Sequence, residues 1–220
     1  MAFWKRKKPE PDPEPQKPLV ECGLPPNADT RWDVELLRIW IVDGRLLVSV
    51  RADTTDEPGA WGIQLVDQSR HIAHAWQQIG GQPLAETLTA IRGAFDRHWE
   101  ERPDMDPAEH VTVVRGGAGP LPVPDEAPDA EMAREIARIW SLGDTYDLCL
   151  MPEALGGAAP WGMIAADLIH FVGHALATDA QPEPDVRAEI RHYFDAEWHN
   201  PTDIHTGEIV DDDPSEDGDA

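Results

Sequence analysis

Two pairs of residues in this chain have the types and spacing to do chemistry, and each pair occurs twice. Asp67 and His74 lie seven residues apart, so a helix puts them on one face, and Asp167 and His174 repeat that spacing a hundred residues on. A carboxylate and an imidazole on one face can exchange a proton, and two such pairs brought together could ligate a metal. Arg38 and Trp40, two apart and so on one face of a strand, return as Arg138 and Trp140. Arg and Trp are common anchors of binding surfaces, which makes these four residues a candidate contact site.

Each candidate also has a plainer account. The Asp/His face can be solvated, with Asp67–His71 or Asp167–His170 contacts at helical spacing, or it can pack on the other repeat. Trp40 and Trp140 can lie under a helix or against each other, with the Arg stacked alongside. No H-E-x-x-H pattern supports a metal site, and no nucleophile or partner carboxylate is placed beside either His. Gly116-Gly117-Ala118-Gly119 lacks the Lys-Ser/Thr of a phosphate loop and reads as linker. No residue is assigned as catalytic, no metal ligand set is assigned, and no cofactor is expected. The leading expectation is a non-enzymatic binding or adaptor protein. The alternative is a small metal-dependent or acid/base enzyme using the repeated Asp/His face.

The elements that position these residues are themselves repeated. Arg38-Ile39-Trp40 recurs as Arg138-Ile139-Trp140, and Trp61-Gly62 as Trp161-Gly162. After a one-residue slip, Ile91-Arg92, Phe95-Asp96 and Trp99 return as Ile190-Arg191, Phe194-Asp195 and Trp198. Trp is only 9 of 220 residues, so matches in register argue for duplication. Gly62 and Gly162 read as sites of close packing.

Each unit opens with a hairpin. Leu36 to Val42 and Arg45 to Arg51 flank Asp43-Gly44, a strong two-residue turn signal, and Gly143-Asp144 stands at the same point in the second unit. That turn makes Val42 oppose Arg45 and Ile41 oppose Leu46. Leu37, Ile39, Ile41, Leu46, Val48 and Val50 then share a core face, and Arg38, Trp40, Leu47, Ser49 and Arg51 share the other. Helices are expected over about 60–79 and 83–99, and again over 160–178 and 184–198. The fold class is α+β: a tandem strand-strand-helix-helix unit, pseudo-two-fold, with about four strands and four helices.

Residues 1–30 read as a basic, Pro-rich disordered arm, 31–104 as the first unit and 105–130 as a strand candidate (Val111 to Val114) plus a Gly/Pro linker. The second unit is 131–203 and an acidic tail is 204–220. A lone unit of ~70 residues buries little surface, so the repeats are expected to pack on each other. Net charge is −24, from 42 acidic and 18 basic residues, which argues against a nucleic acid partner. The two cysteines, Cys22 and Cys149, suggest no disulfide framework, and no run reaches the ~18 apolar residues of a membrane span. Pro-rich polar sequence follows the basic start where a signal would be apolar, so a cytoplasmic location and a possible protein partner are expected. Phe3 to Lys8 would hold a membrane surface only weakly.

The Arg-Ile-Trp strand, the Trp-Gly helix start, Asp67 with Arg70 and His71, and the ending Phe194, Asp195, Trp198 and Asn200 to Asp203 resemble a small bacterial family, domain of unknown function 5076. The resemblance covers both units and implies their extent. The first copy departs at Glu100-Glu101-Arg102-Pro103 and the second at His170-Phe171.

Overall fold

The computed structural model describes residues 19–25, 28–54, 57–143 and 145–202. The expectations for Phe3 to Lys8 and for the acidic tail lie outside the described residues. β1 (Val34–Val42) and β2 (Arg45–Arg51) form the first hairpin. Asp43 and Gly44 both take positive φ, 48° and 79°. Val42 pairs with Arg45 and Ile41 with Leu46, the register that the turn requires. α1 (Pro58–Gly80) and α2 (Leu84–Glu101) follow. Pro58 starts α1 with its φ already helical, and Gly81 ends it in the left-handed region at φ 67°.

The second unit repeats the order. β4 (Ala133–Leu142) and β5 (Thr145–Leu150) make its hairpin, and α3 (Ala159–Leu176) and α4 (Glu183–His199) complete it. Between the units, Val111–Val114 forms β3, so the sheet has five strands, in the order β3-β2-β1-β4-β5, where four were expected. The extra strand has a physical cause. β3 runs parallel to β2 and supplies that edge with partners, as in Val48 N–H to the His110 carbonyl and Ala52 N–H to that of Val114.

The two units do not stand side by side as separate bodies. β1 and β4 pair antiparallel at the centre of the sheet, with Arg38 opposite Arg138, Glu35 opposite Trp140 and Trp40 opposite Glu135. The helices cross over in the same way, α1 packing on α4 and α2 on α3. One core therefore serves both units, with Leu37, Ile39, Trp61, Phe95, Ile139, Trp161 and Phe194 all buried in it.

Gly62 and Gly162 make these crossings possible. A Cβ on Gly62 would strike the Ile190 carbonyl and lie 2.7 Å from the Phe194 nitrogen of α4. On Gly162 it would strike the Ile91 carbonyl and lie 2.9 Å from the Phe95 nitrogen of α2. These contacts are backbone to backbone, so no rotamer change could relieve them.

The other sheet face departs most from expectation. Trp40 and Trp140 are fully buried, and Arg38 and Arg138 nearly so. Arg38 and Trp40 are covered by the stretch from Leu19 to Pro25, expected to be a disordered arm, and by the Gly/Pro segment before β4, expected to be a linker, which includes the 3-10 turn Ala127–Asp129. Val20 bridges Arg134, and Trp40, Val42, Leu47 and Ala127 form a small second core with Leu19 and Val123. The Arg51 guanidinium binds the carbonyls of Gly116, Gly117 and Gly119, which fastens the glycine run onto the sheet. A face carrying two Trp and several Arg costs too much to leave half covered, and the flanking segments close it.

Candidate functional site

The charged residues that the strands bring together lie at the β1–β4 seam. Glu35 and Glu135 are fully buried on that second face, each three residues before its Arg. Glu135 Oε1 accepts from Arg38 Nε at 2.5 Å and from Arg138 Nε at 2.7 Å. Glu21, from the covering segment, bridges both guanidinium groups at 2.7 and 3.1 Å. Cys22 N–H donates to Glu135 Oε2, and the Arg38 guanidinium lies 5.2 Å over the Trp40 ring. Glu35 accepts the Leu121 N–H at 2.6 Å and has only a 3.5 Å contact to Arg138.

Three carboxylates and two guanidinium groups do not balance, and the surplus falls on Glu35. Burial pushes its carboxyl from 4.5 up to about 7, against the pull of the Leu121 N–H and both Arg. Burial also raises the Cys22 thiol far above its ordinary value, with Glu135 adding to the shift, so the thiol stays protonated and unreactive. Arg38 and Arg138 pair across the seam, and they, Trp40 and Trp140 are all buried. They face a closed network and offer no open binding surface.

A second repeated set lies between α2 and α4. Arg92 binds Asp96 at 2.8 Å and Asp195 at 2.9 Å, while Arg191 binds Asp195 at 2.8 Å and Asp96 at 3.2 Å. The four form a ring over the stacked Phe95 and Phe194, whose centroids are 4.3 Å apart, and Arg191 sits 4.5 Å over Phe95. Arg92 and Arg191 anchor their Asp partners four residues on and reach across to the other unit's Asp.

The Asp/His candidates do not assemble into one site. Asp167 contacts neither His170 nor His174 in the expected helical pattern. It takes His98 Nε2 from α2 at 2.7 Å, with Arg102 at 3.8 Å. His174 Nδ1 pairs with Glu183 at 3.0 Å. His170 is buried under Trp99 and against Arg187, 2.8 Å away, and burial first, then that guanidinium, pushes it from 6.5 down to about 4. Asp67 and His74 are half-buried on α1. The helix crossing brings His98 to Asp167 from α2 of the other unit, whereas Glu183 and Arg187 come from α4 of the same unit. Among the described residues, no group of three or more His, Cys, Asp or Glu could hold a metal.

Sequence reasoning missed Glu35, Glu135 and His98. The two Glu were legible: Glu35-x-x-Arg38-Ile39-Trp40 and Glu135-x-x-Arg138-Ile139-Trp140 share the repeat's offset. His98 carried no such signal, because Glu197 stands in its place in the second unit. Glu197 is buried and binds Thr202 through the backbone N–H at 2.6 Å and the hydroxyl at 3.1 Å.

Among the described residues, no helix is long and apolar enough to cross a membrane. No curated protein and no solved structure matches the chain. A family model does, in two tandem copies, over residues 21–103 and 120–202. Both copies begin before the hairpins, so each includes a segment that covers the second sheet face. The chain therefore belongs to the family described as domain of unknown function (DUF5076) and carries two copies of its domain.

Proposed function

We propose that this chain is a non-enzymatic binding or adaptor protein, built as an internal pseudo-dimer of the family unit about a pseudo-two-fold axis between Arg38 and Arg138. One observation carries the reading: the charged residues that repeat face each other across the seam between units. Arg38, Glu135 and Arg138 are spent in this way, as are Arg92, Asp96, Arg191 and Asp195. Repeated chemistry therefore serves assembly, and the assembled body serves as a platform. Its net charge of −24 favours a protein partner over nucleic acid. A cytoplasmic location belongs to the same proposal, supported by Cys22 and Cys149, which form no disulfide.

Capture from source cells, followed by calorimetry with the purified partner, tests it. A stoichiometric complex that survives His98→Asn and Asp167→Asn is the expected result.

The His98–Asp167 contact favours a second reading, an acid/base enzyme. Turnover of a substrate that both substitutions abolish would establish that reading and overturn the first.

A further inference from the structure

At the end of the sheet beside the start of α1 lies a cleft of about 290 Å³, a volume that includes its open mouth. Thr54, Trp61, Gln64, Ser141 and Tyr146 line it, with Leu36 at its apolar side. The duplication supplies an internal comparison. At the same offset, Thr54 corresponds to Ala154, Gln64 to Ile164, Ser141 to Ile41 and Tyr146 to Leu46. The counterpart corner, made of Ile41 and Leu46 from the first unit with Ala154 and Ile164 from the second, is therefore apolar and packs against the core. At the cleft, which Thr54 and Gln64 of the first unit share with Ser141 and Tyr146 of the second, all four positions are polar.

The indoles differ in the same sense. Trp161 Nε1 donates to the Pro152 carbonyl at 3.0 Å. Trp61 is 1% exposed, yet its Nε1 is buried without an acceptor. A buried N–H without an acceptor loses its hydration for no return. The indoles of Trp40, Trp76 and Trp140 also lack acceptors, but none of them lines this cleft.

We infer that this corner is a binding cleft for a small, uncharged, carbonyl-bearing ligand such as a carboxamide, with Trp61 Nε1 donating to its oxygen. Among the described residues, no charged side chain lines the cleft, which favours a neutral ligand. Gln64, Ser141 and Thr54 supply further donors and acceptors, and Leu36 faces the apolar end. The cleft is small even when counted with its open mouth, so the ligand has few heavy atoms. None of these residues belongs to the ion-pair networks between the units, so an adaptor role could stand without this ligand.

Acetamide and propionamide, titrated into the full chain labelled with nitrogen-15, test the cleft. Trp61→Phe and Trp161→Phe assign the two indole resonances. The expected result is a saturable shift of the Trp61 indole with Trp161 unmoved, and no shift with acetate. Gln64→Ile with Tyr146→Leu, which copies the apolar counterpart corner, should weaken the apparent Kd about tenfold or more. Should that variant lose its fold, Ser141→Ala provides the same comparison. A linear response, equal shifts at both indoles, or an unaltered Kd in the folded variant would overturn the site and leave a water-filled crevice.

Discussion

Arg38 and Arg138 stand opposite each other across the β1–β4 seam, and one oxygen, Glu135 Oε1, accepts from the Nε of both. Two like charges face each other at the centre of a sheet because a fully buried carboxylate lies between them. Without it, the two buried guanidinium groups would keep only the part-exposed Glu21 and the longer Arg138–Glu35 contact. Glu135→Ala should therefore cost about 3–5 kcal/mol in urea denaturation. Glu21→Ala should cost at most about 1 kcal/mol, since that side chain is 43% exposed and water screens it. Equal costs would show that the network is not centred on Glu135.

The helix crossings are tested by adding a methyl group. Gly62→Ala and Gly162→Ala each drive a Cβ into the opposing helix backbone and should each cost about 1–3 kcal/mol or more, by similar amounts. Gly93→Ala, inside α2 with no atom nearer than 3.5 Å to the added carbon, should stabilise by about 0.5–1 kcal/mol. Thermal melts of the three variants give both signs.

Stability should respond to pH on two limbs. Glu35 keeps its proton to about pH 7 in the fold but only to 4.5 when unfolded. The folded state binds more protons in that window, so this contribution is full below 4.5 and fades as pH rises through 7. His170 behaves in the opposite sense, being neutral down to about 4 in the fold and protonated from 6.5 when unfolded. Its contribution is full above 6.5 and is lost as pH falls toward 4. Glu35→Gln should flatten the upper limb and His170→Asn the lower one in denaturant midpoints measured from pH 4 to 8.

The ring of Arg92, Asp96, Arg191 and Asp195 should behave as one unit. Its Asp side chains are 41% and 37% exposed, so Asp96→Asn or Asp195→Asn should cost about 1 kcal/mol or less, and less again in high salt. The double variant should cost less than the sum, because each Asp serves both Arg. Strict additivity would break the ring into two unconnected pairs.

Local information was enough for the elements and their register. Asp43-Gly44 can turn in only a few ways, so it set the pairing of Val42 with Arg45 and, by alternation, the core face of the hairpin. Three-four spacing set the helices. The repeat showed that the units were equivalent, and carried back to Glu35 and Glu135 it held the buried carboxylates too.

What sits across from a residue is a different question, and only the tertiary structure decided it. Asp167 takes His98 where His170 or His174 lay nearer in sequence, because α3 faces α2 of the other unit. Arg38 and Trp40 lie under irregular chain, because segments with no periodicity of their own close the second sheet face. Periodicity assigns a residue to a face. The partners that cover the face come from elsewhere in the chain, Leu19 and Glu21 on one side and Val123 and Ala127 on the other for Arg38 and Trp40, and the free energy that selects them exists only once both units are packed.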